Sequence, residues 1–393
     1  MGAEWNLAGK TELNQLRENS TFIPFIGVGP AAAPAPGNTI TIQQAGFLNK
    51  LRGWLDAQVN LTVGAAPVKS AYGPLGGSVN WIRAVVQGRK PFYSLSGWGL
   101  WVYNLVCNPD ANPCTVWPYL AAAGEVVLVE GTHLTGHTAA AAVANEVVRC
   151  PFEMPFGLPV WMTRLIKLGA DYIPVQCEEE VGLWHLQSDQ SKLSIETIFN
   201  PPVTVTVAAL GIDDAPLHQA GIVGTWNAGY ANQIMWEREL FSVPSDPKAW
   251  PDQGYIHQVV EYQQPIVAST FRFPIPQVGA LLRAILIFED VNGCPVDWTT
   301  IVGGTIGLSF GASDTPIVRP LWAFVDEYME DYEGYPPIGV VVFDFYKAGR
   351  RAARLARDTD RIANMAFFGT STAGLVTGRV RIILESLVPH RAT

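Results

Sequence analysis

Apolar side chains recur at every second position in several separate stretches of this chain. Ile40 and Ile42 alternate with threonines in "NTITIQ", and Val59, Leu61 and Val63 line one side of "QVNLTV". Leu193, Ile195, Thr197 and Phe199 do the same in "SKLSIETIF", Val203, Val205 and Val207 in "VTVTV", and Val380, Ile382 and Leu384 in "RVRIILESL". A period of two puts alternate side chains on opposite faces of a strand, so each stretch has one face for a core and one for solvent or a neighbour. "EVVLVE" (125–130) and "GVVVFDFY" (339–346) are apolar at both parities, which predicts strands buried on both sides or facing another subunit. The 37 glycines and 29 prolines supply the turns that many short strands require. Helical spacing is clearest in 319–334, where Leu321, Phe324, Val325, Tyr328 and Tyr332 share a face, Pro320 sits near the start and Gly334 can cap the end. The basic stretch 345–361 reads as a helix or an extended loop.

One phrase occurs twice. "SVNWIRAVVQGRKPFYSLSGW" (78–98) and "GALLRAILIFEDVNGCPVDW" (279–298) each run from an apolar segment around an arginine, through a glycine turn, to a tryptophan. Arg83, Gly88 and Trp98 in the first correspond to Arg283, Gly293 and Trp298 in the second. Each reads as a core strand and turn, with the tryptophan covering a barrel's end. An internal duplication and a chance likeness of two hairpins both fit. "SVPSDPKAWPDQG" (242–254) holds three prolines and reads as a linker that gives each half one copy. Two all-β units of the sandwich or barrel kind follow.

Composition narrows the function classes. The net charge of −9 gives no basic surface overall for gripping phosphates. Hydrophobic residues make up 48% and charged residues 16%, which suits large cores and contacts between chains. No run of 18 apolar residues predicts a spanning helix, and "MGAEWNLAGK" does not read as a secretory leader. Asn6 weakens a myristoylation reading of Met1-Gly2. The five cysteines, Cys107, Cys114, Cys150, Cys177 and Cys294, form no C-x-x-C and read as reduced, mostly buried thiols. Trp5, Leu13 and Leu16 mark a polar N-terminal segment that reads equally as a loose terminus or as an arm against a membrane or a neighbour.

The search for chemistry finds little. His133 and His137 have the spacing of a zinc-binding pair but lack the intervening glutamate and a third ligand nearby. Ser371 in "GTSTAG" misses the nucleophile-elbow pattern at Ala373. Glu178, Glu179 and Glu180 read as a solvated loop or helix start, and Asp213 and Asp214 as a turn. No P-loop or dinucleotide fingerprint occurs. The reading is therefore no catalytic, metal or cofactor-binding residue and no cofactor. Lys347, Arg350, Arg351, Arg354, Arg357 and Arg361 form the one basic run, a solvated face or intersubunit contact before a surface for anionic lipid or nucleic acid.

Five segments, in this order, resemble the double-jelly-roll major capsid proteins of tectivirus-like, membrane-containing icosahedral bacteriophages. They are "WIRAVVQGRKPFYSLSGWGLWVYN" (81–104), "SDQSKLSIETIFNP" (188–201), "LLRAILIFEDVNG" (281–293), "PLWAFVDEYMEDYEGYPPIGVVVFDF" (320–345) and "RIANMAFFGTSTAGLVTGRVRIILESL" (361–387). Residues 130–185 do not follow the pattern. The resemblance implies two tandem eight-stranded jelly-roll β-barrels with a few short flanking helices. An arm and linker would occupy 1–37, the first barrel 38–245, a linker 246–253 and the second barrel 254–393. It implies a pseudo-hexagonal homotrimer tiling an icosahedral shell, made in a bacterial cytoplasm and housed in the virion capsid. Penton and minor capsid proteins would be partners, with a lipid membrane on the inner face and no sequence-specific nucleic-acid binding. Two other readings stand beside it. One is a two-domain β-sandwich stacking sugars on Trp98, Trp101, Trp226 and Trp298. The other is a bicupin-like metalloenzyme, which would need clustered histidines and carboxylates.

Overall fold

The computed structural model describes residues 21–25, 37–42, 46–63, 75, 79–86, 91–107, 143–168, 171–186, 193–199, 222–226, 233–241, 243, 250, 254–289, 302–311, 317–332, 336, 339–345, 357–359, 364–371 and 378–389. The first half contains β1 (Thr21–Phe25), β2 (Gly37–Thr41), β3 (Phe47–Val63), β4 (Val79–Val86), β5 (Tyr93–Leu95) and helix α1 (Gly97–Cys107). It continues with β6 (Val143–Pro155), β7 (Leu158–Leu168), β8 (Asp171–Val181), β9 (Trp184–His185), β10 (Leu193–Phe199), β11 (Ile222–Trp226) and β12 (Gln233–Phe241). The second half contains β13 (Tyr255–Pro265), β14 (Thr270–Pro274), β15 (Ala280–Glu289), β16 (Val302–Phe310), β17 (Ile317–Pro320), helix α2 (Leu321–Tyr332), β18 (Val340–Asp344), β19 (Arg357–Asp358), β20 (Met365–Ser371) and β21 (Arg379–Pro389).

The second unit is a jelly roll in its strand order. Two sheets face each other, β18-β15-β21-β13 and β14-β20-β16-β17. Counting its eight main strands in chain order, omitting the short β19, these are 6-3-8-1 and 2-7-4-5, two interleaved Greek keys. The alternation read from the sequence builds the inside. Val380, Ile382 and Leu384 of β21 meet Leu286 and Phe288 of β15 and Phe271 and Phe273 of β14 in one core. Phe324 of α2 closes that core against Phe343, with ring centroids 4.7 Å apart.

In the first unit, β5-β4-β10-β2 form one sheet and β3, the longest strand, is the spine of the other. β12 and β11 pair along one side of β3, and β6 and β9 along the opposite part of the ladder. The β7–β8 hairpin therefore projects between two segments, β6 and β9, that both pair β3. This is the stretch that departs from the family pattern. Glu178, Glu179 and Glu180 lie within β8, paired to β7, rather than in a loop or helix start. β1 pairs β12 inside the segment read as an arm; Pro24 suits a strand with no further pairing described on its far side. Gly53 of β3 lies where the ring of Phe152 passes, which a Cβ would block. Phe152 in turn meets Trp236 edge-on at 5.3 Å.

The two units are not separate beads. β5 runs parallel to β13, pairing Tyr93 with Val259 and Ser94 with Val260, so the two sheets are continuous. The face that is interior in the first unit continues as the exterior of the second. Ile285, Ile287, Val340, Val342 and Ile383 consequently share a core with Ile82, Tyr93, Trp101 and Phe152. This corrects the expectation for 379–387: β21 is buried on both faces from Val380 to Leu387, not on one. Even positions serve the second barrel, while Arg381, Ile383 and Glu385 face the first unit. For β18, the two-sided apolar pattern is accounted for within this chain.

Candidate functional site at the seam between the units

Helix α1 makes the seam. Gly97 to Val106 are all buried, although no helical period was visible in their sequence. A helix that is apolar all round shows no stripe, and its glycines lower the helix propensity, so tertiary burial decides it. Ser96 caps it, its Oγ accepting from the Gly99 amide at 2.9 Å. Asn104 ties it to β6 through two bonds with the Glu153 backbone, at 2.7 and 3.0 Å.

Around α1 lie two buried charge networks. In the first, Glu385 accepts from the Tyr103 hydroxyl at 2.8 Å and from Arg283 at 2.7 Å, and faces His257 Nε2 at 3.0 Å. Arg283 also donates from Nε to Asp344 at 3.2 Å, and the second His257 nitrogen faces the Pro155 carbonyl at 3.1 Å. Tyr103 and Pro155 come from the first unit and the rest from β13, β15, β18 and β21 of the second. Burial acts to raise the Glu385 carboxyl, but Arg283, His257 and Tyr103 outweigh it and hold it at about 2. Burial also pushes the Cys107 thiol well up despite Arg283 beside it, which disfavours the thiolate.

In the second network, Arg381 donates to Ser96 Oγ and to Glu261, each at 3.0 Å, and pairs with Glu289. Glu261 accepts from both the amide and the hydroxyl of Ser96 at 2.8 Å. The missing side chain of Gly99 leaves Glu261 its room. Arg379 pairs with Glu289 as well. Burial pushes the Glu289 carboxyl up, with Arg381 and Arg379 pulling the other way. Both networks pair charges that are largely or wholly withdrawn from water, with Arg379 the most open of them, and they tie one unit to the other.

The residues singled out in the sequence fall as follows. Arg283 is at the centre of the first network. Arg83 lies in β4 with its guanidinium 3.9 Å from the Trp81 ring centroid, opposite Glu196 in the ladder, so the two arginines of the repeated phrase do different work. Trp98 does not end a turn; it is 2% exposed inside α1 and stacks on Trp101 at 5.1 Å. That burial also removes both rings from any sugar-stacking surface. Arg357 is in β19, where its backbone pairs with Leu281. Trp5, Leu13, Leu16, Gly88, Gly293, Trp298, Arg350, Arg351 and Arg354 lie outside the described residues, as do His133 and His137. Among the described residues no three His, Cys, Asp or Glu side chains cluster to hold a metal, and no helix is long and apolar enough to cross a membrane. Glu385, His257, Tyr103 and Arg381 were missed. For Arg381 and Glu385 the signal available was that they share one parity of "RVRIILES" with the apolar Ile383, which marks a second buried face rather than a solvent face.

No known protein family matches the chain by sequence, and neither does any curated protein. Solved structures do match it. The major capsid protein of Sulfolobus Turreted Icosahedral Virus is 14% identical, with 94% of this chain and 96% of that one superposed at a TM-score of 0.53. The PBCV-1 virus capsid protein is 10% identical over 94% of this chain and 92% of that one, at 0.55. The Faustovirus major capsid protein is 11% identical over 94% and 90%, at 0.50. The likeness is to double-jelly-roll major capsid proteins, and at these identities it shows the fold: two jelly rolls in tandem across nearly the whole chain.

Proposed function

We propose that this chain is the major capsid protein of a membrane-containing icosahedral bacteriophage, and that three copies form a pseudo-hexagonal block that tiles the shell. The observation that carries the reading is the seam. Two jelly rolls are locked into one rigid body by a continuous sheet, a buried helix and two charge networks. A shell block needs that rigidity, because its orientation to neighbours must survive many contacts at once. The tandem supplies two similar flanks per chain, so threefold closure gives a six-sided outline. Interfaces of obligate assemblies commonly exceed about 2,000 Å² and are less charged than an open surface, in keeping with a chain that is 16% charged. The role is structural, with no catalysis. The segment bearing Trp5, Leu13 and Leu16 faces the internal membrane or a neighbour, penton and minor capsid proteins complete the shell, and the host cell's cytoplasm is the site of synthesis.

Sedimentation analysis of the purified chain tests this. The expected species at micromolar concentration has three times the 42.8 kDa chain mass. A stable monomer across the accessible concentration range contradicts it.

A further inference from the structure

Helix α2 has two unlike faces. Leu321, Phe324 and Tyr328 are buried. The outward face carries Trp322, 62% exposed, and Met329 seven residues on, with Asp326 and Glu330 between and beside them. Val318, in β17 shortly before the helix, adds a third exposed apolar side chain. A tryptophan this open invites a partner, because Trp is strongly enriched at the energetic centre of protein interfaces.

The flanking charge narrows what can cover it. Asp326 and Glu330 repel phosphates, so neither nucleic acid nor an anionic lipid surface suits the face. The occupant must offer apolar area and positive charge together. This chain offers that combination to its own copies. Six of its 26 basic residues fall in 347–361, with Ala, Leu and only two acidic residues among them, while the chain as a whole is acidic.

We infer that the outward face of α2 is a docking surface for a second copy of this chain, with Trp322 as its anchor and Asp326 and Glu330 meeting the neighbour's basic tract around Arg350 and Arg354. The inference rests on the assembly reading above and deepens it by naming a contact. A specific interface covers about 800 Å² per partner, so this stripe is the centre of a contact and not its whole extent.

The test uses the full chain with Trp322→Glu and Val267→Glu, both at open positions; Val267 is 78% exposed on another part of the surface. Thermal melting checks that each variant is folded. Sedimentation then gives the concentration at which each associates. Trp322→Glu should weaken association about 30-fold or more, and Val267→Glu should not. Charge reversal at Asp326→Lys with Glu330→Lys should weaken it too, and adding Arg350→Glu and Arg354→Glu to the same chain should restore it. If folded Trp322→Glu associates like the unaltered chain, the inference is overturned while the assembly reading stands. If the unaltered chain is monomeric throughout, both fall. If charge reversal has no effect, or the fourfold variant restores nothing, the basic tract is not the counterpart. Capture of the unaltered chain by phosphatidylglycerol vesicles through Trp322, without self-association, also overturns it.

Discussion

Glu385 is asked to stay ionised where no water reaches it. It does so because Arg283, Tyr103 and His257 converge on its two oxygens from both units. Replacing such a pair by apolar side chains of equal volume can be neutral, but removing one partner strands the other. Arg283→Ala removes the guanidinium that Glu385 and Asp344 share, and should lower stability to urea by about 3–5 kcal/mol. Glu385 also sets a pH dependence. Its folded carboxyl is held at about 2, below the ordinary carboxylate range, so its contribution is complete above about pH 5. That contribution is lost as pH falls through the ordinary value and on toward 2. Melting temperature measured from pH 7 to pH 3 should therefore fall, and Glu385→Gln, less stable at neutral pH, should show a flatter profile. Equal slopes would mean that Glu385 is not the group responsible. Of these residues only Arg283 stood out in the sequence, and for a reason that proved incomplete. A repeated phrase points to a shared strand, not to what each side chain meets.

At the scale of elements, alternation was a sound guide wherever a strand has one buried face. The core of the second barrel was readable in Val380, Ile382 and Leu384 before any coordinate. The same rule failed for the other face of β21, because a strand between two cores looks half polar when its buried charges are paired. Helix α1 was invisible for the opposite reason: all its faces are buried, so no periodicity remains. Helix α2, lying on the surface, kept its stripe and was readable. The packing of α1 gives a sharp prediction. A Cβ on Gly97 would press into the Leu75 and Val79 carbonyl oxygens, neither of which can move aside easily. Gly97→Ala should cost about 1–3 kcal/mol in chemical denaturation. Near-neutral behaviour would show that the helix can shift in its slot, and that the seam is looser than its hydrogen bonds imply.

At the scale of the molecule, two β units were expected from the proline-rich stretch and the repeated phrase. Their fusion was not, because the pairing of β5 with β13 joins residues over 160 positions apart and leaves no local trace. One core spans both halves, so they should unfold together. Calorimetry should give a single transition, whereas two well-separated transitions would show independent domains. The central claim is that this fused tandem is one building block, used three at a time. Cryo-electron microscopy of the purified oligomer tests it most directly. The account predicts threefold particles with two β-barrel lobes per chain and a six-sided outline. Particles without threefold symmetry, or with the two lobes of a chain free to move apart, would contradict it.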